Sequence, residues 1–205
     1  MSAMKGANVA LVHGFNVKDN GHDTTDKFSK PLKTLGATPH EFDYGWTELV
    51  GVRTVSPRVA QSLADWSKPR GPVIAIGHSN GANIVHQAAV RGARISVAVL
   101  INPALRRDTR WPSHVKKVLC FHCESDVPVL MSRLLHYSPF QLLWGRHPWG
   151  SAGRHGFKTK DNRVVNIDWE GRLGVSDMGH SGGFSTEVWE RFHTLVLDHA
   201  IEAWT

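Results

Sequence analysis

The pentapeptide Gly77-His78-Ser79-Asn80-Gly81 places a serine hydroxyl between two glycines, at the end of the apolar run 73–76. Residues 82–90, which follow it, have a helical pattern. A strand, a sharp turn and a helix in this order expose the serine hydroxyl, and the helix N-terminus directs free N–H groups at a developing oxyanion. The same pattern also occurs by chance in loops and helix caps. The context therefore predicts Ser79 as a nucleophile and the backbone N–H of Asn80 as an oxyanion donor.

A serine hydroxyl is a weak nucleophile at neutral pH, so it needs a base and an acid that orients the base. Among the 13 histidines, His180 stands apart because it lies in the glycine-rich loop 178–183, ahead of the last predicted helix. Asp126 follows an apolar run and precedes His180, although it could also cap a helix before Pro128. The alternatives left open are His147 and His155 for the base, and Glu124, Asp108 and Asp177 for the acid.

The length and composition of the chain limit its number of domains, its partners and its location. The chain has 205 residues and a formal net charge of +6, with basic residues scattered rather than grouped in runs. The length favours one domain, residues 1–205. The scattered basic residues argue against a nucleic-acid partner, although the net charge is compatible with a mild attraction to anionic surfaces or substrates. The first apolar run, 7–12, is too short for a signal-peptide core or a membrane span, which predicts a cytoplasmic protein with no integral membrane segment.

Cys120 and Cys123 form a C-x-x-C pattern, which is also typical of metal and redox sites. They lie in a predicted strand, where residues three apart point to opposite faces of the sheet. Such a pair cannot readily share a metal ion or a disulfide. We therefore expect two buried, reduced thiols and no metal.

Apolar strands alternate with helices along the chain. This order predicts an α/β fold with a mainly parallel central sheet of about six strands, flanked by helices, and a ligand site beyond the carboxyl ends of the strands. The predicted strands are 8–12, 39–44, 73–76, 95–101, 115–123 and 163–168. The predicted helices are 25–35, one that begins with Ser56 as N-cap and Pro57 as first residue, 82–90, and a final one from Ser185.

The elbow at 77–81, the His13-Gly14-Phe15 turn and the chain order Ser79, Asp126, His180 resemble the α/β-hydrolase superfamily, near its small lipase and esterase members. The resemblance covers most of the chain and implies an α/β-hydrolase fold, a Ser-His-Asp acyl-enzyme mechanism and no cofactor. It also implies that His180, in the loop after the last strand, is the base. By the same resemblance the backbone N–H of Phe15 is the second oxyanion donor, and a plain strand-to-loop turn is the alternative for His13-Gly14. Asn16 is polar, and its side chain is predicted to contact the substrate instead.

The segment 136–157 lies between the predicted acid and the predicted base and contains several aromatic residues and glycines. Related hydrolases often build a cap or substrate wall at this point, and Trp144 and Trp149 are the predicted wall residues. Core packing is the equally weighted alternative for these aromatic side chains.

These observations predict a serine esterase or lipase-like hydrolase that acts on a small-molecule or lipid-like acyl substrate. An amidase or thioesterase would use the same three side chains, so the motifs do not separate these reactions. A non-catalytic binding protein on a hydrolase scaffold is the alternative of another class. The presence of Ser79, Asp126 and His180 together argues against it.

Overall fold

Six parallel strands form one sheet in the computed structural model, which describes residues 3–15, 21–44, 52–126 and 149–205. The strands are β1 (Asn8–Val12), β2 (Thr38–Phe42), β3 (Val73–His78), β4 (Ile95–Ile101), β5 (Lys117–His122) and β6 (Val164–Asp168). Their order across the sheet is β2-β1-β3-β4-β5-β6, and each neighbouring pair is parallel. The predicted α/β fold with a parallel sheet is confirmed.

The helices of the described residues connect the strands and cover both faces of the sheet. The α-helices are α1 (Ser29–Thr34), α2 (Val52–Ser67), α3 (Asn80–Val90), α4 (Ala152–His155), α5 (Trp169–Leu173) and α6 (Trp189–Trp204). Short 3₁₀ helices lie at Thr25–Phe28, Lys68–Arg70 and Gly182–Phe184. Among the described residues, no helix is both long enough and apolar enough to cross a membrane.

The core consists of two apolar layers, one on each face of the sheet. The central strands β3 and β4 are buried at every position, which explains their near-continuous apolar sequences. One layer packs the sheet against α1 and α6, and the other packs it against α2 and α3. Cys123 lies in the first layer and Cys120 in the second. The two thiols therefore face opposite sides of the sheet, as the strand alternation predicts.

Three helix boundaries differ from the sequence prediction. The prediction that α2 begins at Ser56 and Pro57 is wrong, because α2 begins at Val52 and contains Pro57. A proline near a helix start removes one backbone hydrogen bond at most, so the chain tolerates it slightly inside the helix as well. The final helix begins at Trp189 rather than at Ser185, after a turn in which the Trp189 N–H donates to the Ser185 carbonyl. The predicted helix 25–35 is divided into a 3₁₀ turn and α1.

The order of the strands creates a switch point between β1 and β3, at the carboxyl ends of the strands. β2 lies on one side of β1 and β3 on the other, so the connections that leave β1 and β3 diverge to opposite sides. In open parallel sheets, ligands bind at such a switch point, outside the carboxyl ends of the strands. The turns that follow β1 and β3, which carry Phe15 and Ser79, meet there.

Candidate active site

Ser79 occupies the turn between β3 and α3, with φ 54° and ψ −119°. A positive φ strains a residue that has a Cβ by roughly 1–3 kcal/mol, and it persists only where the surroundings hold it. Here the Ser79 N–H donates to the Ile101 carbonyl at 3.0 Å, and the Ser79 carbonyl accepts from the Ala104 N–H at 3.0 Å. Main-chain bonds to the end of β4 thus hold the serine in a conformation that it would not otherwise adopt.

The two glycines of the pentapeptide allow the turn to pack backbone against backbone. A Cβ on Gly77 would lie 2.8 Å from the backbone nitrogen of Ala82. A Cβ on Gly81 would lie 2.5 Å from the carbonyl oxygen of His13 and even closer to that of Val12. Any side chain at Gly81 would push the start of α3 away from β1, so these positions require glycine for space.

Asp126 and His180 form a hydrogen-bonded pair beside this turn. The carboxylate oxygen Oδ1 of Asp126 lies 2.9 Å from Nδ1 of His180. Asp126 is fully buried just beyond β5, whereas the side chain of His180 keeps 16 % of its surface exposed. Because an ionised carboxylate only accepts hydrogen bonds, Nδ1 carries the proton and Nε2 keeps its lone pair. A histidine in this tautomer can take a proton from a nucleophile.

Side chains from two strand ends hold the backbone of His180. Its carbonyl oxygen accepts from Nδ2 of Asn102 at 2.7 Å and from Nε2 of His78 at 3.1 Å. Asn102 is buried directly after β4 with φ 43°, and its Oδ1 accepts from Nε1 of Trp169 at 3.0 Å. The Trp169 indole therefore fixes the Asn102 amide, which in turn holds the backbone of His180.

A second network holds the two residues that precede His180. The Gly179 N–H donates to Oγ of Ser125 at 2.8 Å, and the Met178 N–H donates to Glu170 at 2.8 Å. The Ser125 hydroxyl donates to the same Glu170 oxygen at 2.6 Å. Glu170 is buried, and its carboxylate ties the loop that contains Asp126 to the loop that contains His180.

His78 lies directly against the imidazole of His180, with ring centroids 4.8 Å apart. Complete burial lowers the pKa of His78 to about 3; the nearby His180 acts in the same direction, whereas the hydrogen bond to the His180 carbonyl opposes it. His78 thus remains neutral at physiological pH, with the proton on Nε2 facing that carbonyl. No second positive charge arises from it when His180 is protonated.

The His13-Gly14-Phe15 turn abuts the serine. A Cβ on Gly14 would lie 3.1 Å from Cβ of Ser79 and 3.2 Å from Nδ1 of His78. The peptide group between Gly14 and Phe15 is therefore within a short distance of the serine side chain. This is the place where a second oxyanion donor is expected.

Trp149 connects the two predicted oxyanion residues. Its Nε1–H donates to Oδ1 of Asn80 at 2.9 Å, and its ring meets that of Phe15 edge to face at 5.3 Å. Asn80 is fully buried and also donates to Oγ of Ser56 at 3.1 Å. Trp149 itself is only partly buried.

The other candidates named from the sequence lie elsewhere or outside the described residues. Asp108 is exposed and pairs with Arg106, and the other described alternatives, Glu124, Asp177 and His155, are exposed as well. Phe157, the last residue of the segment 136–157, is buried in the core layer that contains α2 and α3, as the core-packing alternative predicts for this side chain. Asn16, Trp144 and His147 lie outside the described residues.

The sequence alone did not identify the residues that hold the loop of His180, namely His78, Asn102, Ser125 and Glu170. A signal existed for Asn102, because it directly follows the apolar run of β4 at the edge where the site was expected. Glu170 carries no such signal, since an acidic residue in the first turn of a helix is ordinary. Its role depends on contacts between segments that are far apart in the chain.

No family model matches this sequence, and no curated protein sequence matches it. Among solved structures, it is similar to a proposed hydrolase of the α/β superfamily from Xanthomonas campestris pv. campestris, with 17 % identity and a TM-score of 0.54 over 94 % of this chain and 99 % of that one. A protein from Thermus thermophilus shares 14 % identity and a TM-score of 0.54 over 97 % of this chain and 90 % of its own. These likenesses show that the chain has the α/β-hydrolase fold.

Proposed function

We propose that this protein is a serine hydrolase that cleaves carboxylic esters through an acyl-enzyme. The observation that carries the proposal is the pairing of Asp126 with His180 at 2.9 Å, beside a serine held at positive φ between a strand and a helix. A strained backbone at a ligand-binding edge of a sheet points to function. The α/β-hydrolase fold adds support, although one fold hosts many activities.

In the proposed reaction, Nε2 of His180 accepts the proton of the Ser79 hydroxyl while Oγ attacks the acyl carbon. Asp126 stabilises the imidazolium that forms. The tetrahedral intermediate collapses, the C–O bond to the leaving group breaks, and His180 gives its proton to the departing alkoxide. A water molecule then repeats the sequence on the acyl-enzyme and releases the carboxylic acid and free Ser79.

The negative charge of the tetrahedral intermediate falls on the former carbonyl oxygen. We assign its stabilisation to the backbone N–H groups of Asn80 and Phe15. The N-terminus of α3, which begins at Asn80, adds the positive end of a helix dipole. Loss of one such donor costs about 10²–10³-fold in kcat in well-studied hydrolases.

Trp149 is proposed as a wall of the acyl or leaving-group pocket, together with Trp144 and Asn16 as predicted from the sequence. The partly exposed indole of Trp149, fixed on Asn80 and on the Phe15 ring, supports this for Trp149. An apolar wall discriminates between acyl chains by roughly 1–3 kcal/mol per methylene. Trp149→Ala is thus expected to change the chain-length preference more than the rate on the smallest ester.

A panel of p-nitrophenyl esters from acetate to octanoate, with matched thioester and anilide substrates, tests the proposal. Ser79→Ala is expected to lower kcat by at least about 10³-fold with an unchanged melting temperature. Ser62→Ala, an exposed serine on α2, is the matched control and should keep full activity. Normal turnover by a folded Ser79→Ala protein would refute the mechanism, and cleavage confined to the thioester or the anilide would change the reaction class.

A further inference from the structure

The ring of Tyr44, two residues beyond β2, lies flat on the ring of His13. The two centroids are 4.0 Å apart, with an interplanar angle of 12°. The Tyr44 N–H also lies 3.4 Å from Nε2 of His13, which it can use as an acceptor. Tyr44 thus joins an edge strand of the sheet to the turn that follows β1, next to Ser79.

The hydroxyl of Tyr44 lies 2.8 Å from the carbonyl oxygen of His13 and 2.8 Å from that of Gly14. Carbonyl oxygens only accept, so the hydroxyl donates its single proton to one or the other of them. The Gly14 carbonyl lies 2.9 Å from Nδ1 of His13 as well. With Nε2 accepting from the Tyr44 backbone, Nδ1 carries the His13 proton and donates to Gly14. Two side chains therefore converge on one peptide oxygen.

The orientation of the Gly14 carbonyl determines the direction of the Phe15 N–H. In a trans peptide the C=O of Gly14 and the N–H of Phe15 point in opposite directions, and the described residues contain no cis peptide bond. A Gly14 carbonyl held toward Tyr44 consequently directs the Phe15 N–H away from Tyr44. The same turn contacts Ser79, since a Cβ on Gly14 would lie 3.1 Å from the serine Cβ.

We propose that Tyr44 is a positioning residue whose hydroxyl holds the Gly14–Phe15 peptide group so that the Phe15 N–H meets the oxyanion of the tetrahedral intermediate. This inference rests on the proposed function and goes beyond it by naming what sets the second donor. Without the hydroxyl, the peptide plane can rotate, and the donor is lost from the transition state more than from the bound substrate. Burial raises the pKa of Tyr44, with an opposing hydrogen bond from Asn80, so the hydroxyl keeps its proton in neutral solution.

Tyr44→Phe is the direct test, because phenylalanine keeps the stacked ring and removes only the hydroxyl. The expected result is a fall in kcat of roughly tenfold or more on the best ester, with KM changed by less than about twofold. Binding of a trifluoromethyl ketone, which forms a tetrahedral oxyanion on Ser79, should weaken by the same factor as kcat. Ser29→Ala is the matched control, since it removes a hydroxyl hydrogen bond to Glu41 of the same edge strand and should change neither quantity.

The outcomes separate the inference from the function on which it rests. A wild-type protein that neither cleaves an ester nor binds the ketone overturns both. An active wild type together with a Tyr44→Phe protein of unchanged kcat and ketone affinity overturns the inference alone. A purely structural role predicts a lower melting temperature with an unchanged ratio of ketone affinity to KM. Because partial unfolding weakens the apparent ketone affinity and the apparent binding of substrate by the same factor, this ratio decides the question even if Tyr44→Phe folds poorly.

Discussion

The nucleophile side and the acid–base side of the candidate site are built in different ways. On the nucleophile side, Ser79 is held by main-chain hydrogen bonds, and α3 packs through Gly81 directly on the backbone of β1. On the acid–base side, His180 lies in a loop that is held by side chains, of which Asn102 and Glu170 are buried. The first arrangement depends on the absence of side chains, and the second depends on their presence. Substitutions of these supporting residues should therefore affect the fold on the nucleophile side and the rate on the acid–base side.

The largest effect is expected from Gly81→Ala. Its methyl group would collide with the carbonyl oxygens of Val12 and His13, and backbone atoms cannot move aside as a flexible side chain can. We expect a loss of more than about 4 kcal/mol in the free energy of unfolding, or no folded protein. Urea denaturation followed by circular dichroism measures it.

Gly92→Ala is the control for Gly81→Ala, with the free energy of unfolding compared in the two variants. Gly92 has φ 84°, but a Cβ there would meet nothing within 4 Å. This variant carries only the backbone strain, which costs about 1–2 kcal/mol. Equal losses in the two variants would show that the close packing at Gly81 costs no more than backbone strain at an open position, and the contrast between the two sides of the site would fail.

A smaller effect, on rate rather than on fold, is expected from Ser125→Ala. The change removes the hydroxyl that accepts from the Gly179 N–H and donates to Glu170. The loop then places His180 less accurately, and we expect kcat to fall about tenfold, with a stability loss of about 1–2 kcal/mol. Steady-state kinetics and thermal melts of the same preparation measure both quantities.

Ser181→Ala is the control for this second change. Ser181 lies in the same loop and is exposed, so its removal should leave kcat and the melting temperature unchanged. If Ser125→Ala also leaves kcat unchanged, the side-chain network does not position His180. The acid–base side would then depend on side chains no more than the nucleophile side does.

The last effect concerns His78; it is absent at neutral pH and appears only on acidification. Its pKa is about 3 in the folded protein and near 6.5 in an unfolded chain, so the unfolded state takes up a proton first. A lowered folded-state pKa gives stability that is fully present above pH 6.5 and is lost as the pH falls toward 3. Between pH 7 and pH 5 this loss is about 2 kcal/mol for His78 alone.

His78→Gln isolates that contribution, because the amide keeps a donor near Nε2 but does not titrate. The variant should lose about 2 kcal/mol less stability than the wild type between pH 7 and pH 5, with the other 12 histidines common to both chains. Urea titrations at the two pH values measure the difference. Parallel losses in both proteins would mean that His78 is not held neutral by burial.

The fold and the strand, turn and helix around Ser79 could be predicted from the sequence because their signals are local. Gly77 to Gly81 form one continuous motif, and the apolar runs of β3 and β4 show that both are buried strands. The start of α2 could not be fixed in the same way, since Pro57 is compatible with the first turn of a helix and with a position slightly beyond it. Short-range signals identify elements better than they identify their ends.

The supports of the site could not be predicted because each acts across the chain. Asn102 contacts a residue 78 positions away, and Ser125 one that is 54 positions away. Tyr44 acts on a turn 30 residues before it. A single sequence shows that such residues are polar and follow strands, but it does not show which of them will meet. The contacts arise only when the strand ends are brought to one edge of the sheet.

Labelling with a fluorophosphonate probe shows whether His180 activates Ser79. We expect one probe per chain, on the peptide that contains Ser79, and a labelling rate reduced roughly 10³-fold in His180→Ala. The variant His155→Ala, which changes an exposed histidine, should be labelled as fast as the wild type. Labelling of a different serine, or of Ser79 at full rate in His180→Ala, would show that His180 does not activate Ser79.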